Sequence, residues 1–152
     1  MSAAPPLNLW LVAGGCLSAL AALVHLACIF GGPDWYRFFG AGEGIARAAE
    51  RGSWAPALIT VGIAAVLTLG AFYAFAAAGL APRPPLLRTG LVVMTAIYLL
   101  RGLVLFAPSS LNRQDLTPGF LFWSSLIVLV YGVVHAIGVQ QAWHILSEED
   151  VS

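Results

Sequence analysis

The sequence contains no lysine, and no aspartate or glutamate falls inside any of its long apolar runs. Its seven basic residues are all arginine, scattered rather than clustered, and they balance seven acids to a formal net charge of zero. A nucleic-acid footprint and a polybasic lipid-binding segment are both excluded by that pattern. Cysteine is scarce too: Cys16 and Cys28 share one apolar run, about 18 Å apart if helical, which is beyond disulfide reach. Only 9% of the residues are charged while 60% are hydrophobic. A mean hydropathy of +0.88 over 152 residues is too apolar for a water-soluble domain. The expectation is a single all-α integral membrane domain over residues 1–152. No positive residue precedes the first apolar run, which is longer than a signal-peptide core, so it reads as a retained span.

A bilayer core about 30 Å thick requires roughly 20 apolar helical residues. Four stretches meet that length, over about 7–30, 54–80, 86–107 and 120–145. Proline supplies the punctuation: Pro5 and Pro6 before the first, Pro56 opening the second, Pro82, Pro84 and Pro85 before the third, Pro108 and Pro118 around the last turn. Trp10, Trp35, Trp54, Trp123 and Trp143 all fall near span ends, where an indole prefers the headgroup level. Short connections make neighbours antiparallel, giving an antiparallel four-transmembrane-helix bundle. Gly14, Gly15, Gly62, Gly70, Gly132 and Gly138 suit close helix contact, and homo-oligomers are compatible with such faces.

The long first loop opens with GGPDWYRFFGAGEG, residues 31–44. Its second half carries Glu43 and Arg47 four apart, with Gly52 placed to end a turn, so a short interfacial helix is expected there. Arginines on the first and third loops, Arg37, Arg47, Arg51 and Arg113, outnumber Arg83 and Arg88 on the second. That margin leaves the sidedness open. The arginine-only, alanine- and glycine-rich texture points to a bacterial inner membrane.

Three ionisable residues enter the spans: His25, Arg101 and His135. Such groups are costly in lipid, about 2.5–3.5 kcal/mol for a central arginine on insertion scales, and therefore mark candidate sites. By helical rise, His25 and Arg101 sit about 10 Å and 7 Å from their span centres, toward the same membrane side. Thr60 and Ser124 or Ser125 share that height, and Tyr98 lies one turn from Arg101 on the same face. The stripes Gly14, Ser18, Ala21, His25, Cys28 and Met94, Tyr98, Arg101, Leu105 and Ser124, Val128, Tyr131, His135, Gly138 follow helical spacing and are expected to face inward. Asp34, Trp35, Tyr36, Arg37 and Glu43 would form the mouth above, two aromatic doublets flanking the arginine to grip an amphipathic molecule. Asp34 or Glu43 is the expected counter-ion of a buried Arg101. The competing readings are structural: Arg101 snorkelling to headgroups, the histidines bonding helix partners, Asp34 pairing with Arg37 and the aromatics anchoring the loop.

No cofactor is expected. A haem shared by His25 and His135 is disfavoured because the two lie about 15 Å apart in depth. No zinc-like ligand set, phosphate loop or hydrolase signature is present. The functional expectation is a polar pocket at the loop-one end, lined by His25, Thr60, Tyr98, Arg101 and Ser124 and binding a lipid-like small molecule. Two alternatives stand beside it: a membrane-embedded enzyme using His25 and Arg101, and a structural or assembly subunit. Membrane lipids are the expected surroundings.

Overall fold

A computed structural model describes residues 7–106 and 116–148. Pro5, Pro6, Pro108, Arg113, Glu149 and Asp150 lie outside the described residues. Those described form five helices and no strand: α1 Leu9–Phe38, α2 Glu43–Glu50, α3 Ala55–Ala77, α4 Leu87–Leu103 and α5 Pro118–Glu148. A 3-10 turn, Val104–Phe106, continues α4. Three of the helices, α1, α3 and α5, are long and apolar enough to cross a membrane, each with a mean hydropathy of 2.1 in its most apolar window. That is the composition of a helical integral membrane protein, whereas α4 has 17 residues and falls just short of the same length.

The first helix runs further than its apolar stretch. Asn8 caps it by accepting from the Leu11 N–H at 3.1 Å, and its amide Nδ2 donates to the Gly138 carbonyl of α5 at 2.9 Å. Instead of stopping near Phe30, the helix breaks at one residue, Gly32 (φ 68°, ψ −154°), and restarts with Pro33. That backbone conformation is essentially restricted to glycine, and proline suits the first turn of the new segment because it has no N–H to satisfy. The segment closes at Gly40 (φ 72°), where the N–H groups of Gly40 and Ala41 donate to the Arg37 and Tyr36 carbonyls. Residues 33–38 of GGPDWYRFFGAGEG therefore form a redirected helical segment, and the connection to α2 is only four residues. The expected loop helix is α2, and Gly52 ends it by the same left-handed closure.

Glycine sets how closely the helices approach. A Cβ on Gly102 would sit 2.6 Å from the Leu129 backbone, and one on Gly132 2.7 Å from Leu99, so α4 and α5 pack nearly backbone to backbone. Gly14 lies against His135, Gly15 against Phe75, Gly70 against Met94 and Gly138 against Leu11. Each of these glycines lets a side chain of another helix come to where its own Cβ would stand. Gly62 differs: no atom lies within 4 Å of its would-be Cβ, and it lines no contact. The five tryptophans are all exposed, at or near helix ends. Large apolar side chains such as Phe30, Leu58 and Leu100 also point outward, as they do where lipid is the solvent.

Candidate functional site

At the end of the bundle where α1 turns toward α2, a cavity of about 530 Å³ opens between α1, α3, α4 and the start of α5. Four of the expected residues line it: His25, Tyr36, Thr60 and Arg101. Cys28 lies one turn beyond His25 on the same face, and Phe39 and Ile45 form part of the roof. The remaining wall is largely aliphatic, with Ile59, Ile63 and Val104 among its members. Its size and its balance of few polar groups over an apolar lining are those of a small-molecule pocket.

His25 is oriented by its own helix. Nδ1 lies 2.8 Å from the Ala21 carbonyl, which can only accept, so Nδ1 carries the proton and Nε2 is left as an acceptor. No other hydrogen bond engages this ring among the described residues. Arg101 reaches across to α5, donating from Nη1 to Ser125 Oγ at 3.0 Å and from Nη2 to Ser124 Oγ at 3.4 Å. Ser125, fully buried, is thus the nearer of the two serines. Thr60 donates to the Pro56 carbonyl at 2.7 Å and stands 3.4 Å from the Tyr36 hydroxyl. The cavity consequently offers a guanidinium donor, an imidazole acceptor and a phenol in one otherwise apolar space.

Tyr98 and Ser124 do not line it. Tyr98 turns instead into a buried chain of polar groups that joins three helices. Its hydroxyl lies 2.8 Å from Ser18 Oγ, and Ser18 Oγ lies 3.4 Å from His135 Nε2. His135 Nδ1 lies 2.9 Å from the Tyr131 carbonyl, so this ring also carries its proton on Nδ1 and accepts at Nε2. One direction satisfies every member: Tyr98 donates to Ser18, Ser18 to His135, His135 to Tyr131. Ser18 and His135 are both 0% exposed, and Tyr98 meets the Tyr131 ring edge-to-face and the His135 ring at a tilt. His25 and His135 thus occupy separate surroundings.

The other mouth residues build a surface lock. Arg37 grips Glu43 with two bonds of 2.9 and 3.0 Å and Glu50 with one of 2.7 Å, while Arg47 reaches Glu43 at 2.9 Å. Asp34, its side chain 94% exposed, lies 3.5 Å from Arg37. Both carboxylates expected to answer Arg101 therefore engage Arg37. Hydrogen bonds from Arg37 and then Arg47 hold the Glu43 carboxyl at a pKa of about 2, below the ordinary 4.5. Trp35 covers Gly31 and stacks on Phe39. Among the described residues no group of three or more His, Cys, Asp or Glu is placed to hold a metal ion. No family model matches the chain, and neither a curated protein nor a solved structure is similar to it.

Proposed function

We propose that the protein is a four-span antiparallel membrane bundle that binds an amphipathic, lipid-like small molecule in the cavity beneath Tyr36 and Phe39. Supporting the fourth span, α4 rises about 26 Å, and its 3-10 turn adds roughly 6 Å more, which together match a bilayer core. The arginine-only composition suits a bacterial inner membrane. Carrying the proposal is the meeting of Arg101, the His25 Nε2 acceptor and the Tyr36 hydroxyl in one cavity of otherwise aliphatic lining. An anionic or carbonyl head takes the guanidinium, a hydroxyl takes the imidazole, and the tail lies along Ile59 and Ile63.

The test is native mass spectrometry of the protein released from mild detergent. Wild type should retain an adduct of constant mass. Arg101→Leu should lower its occupancy about tenfold, the scale of one charge-assisted hydrogen bond. Ile63→Trp, which fills the apolar part of the cavity and leaves the polar groups in place, should exclude the adduct as well. Retention unchanged in both variants would sink the proposal.

A further inference from the structure

Tyr36, Phe39, Gly40, Ala41 and Ile45, which line the cavity from the side of α2, all belong to the stretch between Gly32 and Gly52. The glycines at its two ends are left-handed, with φ 68° and 73°, and no atom lies within 4 Å of where either would carry a Cβ. A residue so placed can change φ and ψ without displacing a neighbour, which is what a hinge requires. Between them lies a third flexible point, the turn of residues 39–42, with Gly40 at φ 72° and Gly42 at φ 98°. That turn is bridged. Arg37 before it bonds Glu43 and Glu50 after it, so the end of α1 and the whole of α2 are held as one piece. Asp34 and Arg47 extend the same network within that piece.

We propose that residues 33–51 are a hinged lid that turns about Gly32 and Gly52 to admit the ligand, with the Arg37 clamp keeping its two helices together; this rests on the reading that the cavity holds a ligand. Toward the bundle the lid lays apolar surface, a face that can part and close again without stranding a charge. Tyr36 and Ala46 pack in one cluster with Cys28, and the Phe120 ring of α5 lies against Gly40. The Tyr36 hydroxyl and Thr60 Oγ1 stand 3.4 Å apart, at the long end of hydrogen bonding, and form a weak latch between lid and α3. Motion is thereby directed. With the middle turn locked by the clamp, φ and ψ changes fall on the two outer glycines, and the lid moves as a body rather than unravelling at residues 39–42. Without the clamp, the end of α1 and α2 lift separately and uncover the cavity more easily.

Cys28 reports the motion, because it lines the cavity under the lid and is only 5% exposed. With Cys16→Ser removing the other thiol, modification of the full chain by N-ethylmaleimide in detergent is followed by mass spectrometry. Cys28 should react to completion, at a rate that stops rising with reagent concentration once opening of the lid limits it. Arg37→Gln should raise that limiting rate about fivefold, since the ion pairs it removes are individually weak but share one guanidinium. Glu43→Gln combined with Glu50→Gln, which breaks the clamp from the other side, should do the same. Ala74→Cys, a buried site elsewhere in the bundle, in a chain lacking Cys16 and Cys28, should react no faster when the clamp is broken. Labelling requires no ligand, so an empty cavity and an immobile lid are separate results. Clamp variants no faster than wild type, an equal rise at Ala74→Cys, or a Cys28 that never reacts overturns the lid.

Discussion

At the scale of single residues, the Ser18 hydroxyl decides whether two other polar groups are satisfied. It accepts from Tyr98 and donates to His135, and no water at that depth can replace it. Ser18→Ala should therefore strand the phenol and the imidazole nitrogen and cost roughly 0.6–1.7 kcal/mol, the range of hydrogen bonds between membrane helices. Denaturant unfolding in detergent reads this directly, and a midpoint equal to wild type would contradict the assigned chain. The sequence makes His25, Thr60 and Arg101 visible because polar atoms are so rare in its apolar runs. It does not separate Tyr98 from Arg101. Three residues apart on a helix, they diverge by about 60°, enough to send one toward Ser18 and the other toward Ser125. A stripe names a face, and rotation within it is set by packing such as that of Gly14 against His135.

The elements show where punctuation misleads. Glycine and proline at 31–33 mark a helix end in the sequence, yet only Gly32 leaves helical geometry and Pro33 begins the next turn. What redirects α1 is then held by charge, because Arg37 on its last turn clamps Glu43 and Glu50 of α2. The Glu43 carboxyl titrates near 2 in the folded chain against an ordinary 4.5. A lowered folded value means the clamp contributes fully above pH 4.5 and is lost as the pH falls from there through about 2. Fluorescence of Trp35, which stacks on Phe39 beside the clamp, should shift across that interval. To isolate its signal, Trp10, Trp54, Trp123 and Trp143 are replaced by Phe, and in that background Glu43→Gln should abolish the step. A step that persists in Glu43→Gln would assign the transition elsewhere.

For the whole molecule, hydropathy alone is enough to identify a helical membrane protein, with three helices long and apolar enough to cross a bilayer. The cavity was legible only as a coincidence of depth between His25 and Arg101. Its roof was not, since Phe39 and Ile45 reach it through the kink at Gly32 and the short turn at Gly40. Nor was the Asn8 contact with Gly138, which ties the cap of α1 to α5. Both depend on tertiary geometry that no local spacing encodes.

If Arg101 and His25 together hold the head of an amphipathic molecule, a density map of the protein in lipid nanodiscs should contain an elongated feature in the cavity. Its blunt end should lie within hydrogen-bond distance of Arg101 and His25 Nε2, and its tail beside Ile63. Side chains collapsed into that space, or an Arg101 turned outward among the lipid headgroups, would leave the cavity without its ligand and overturn the proposed function.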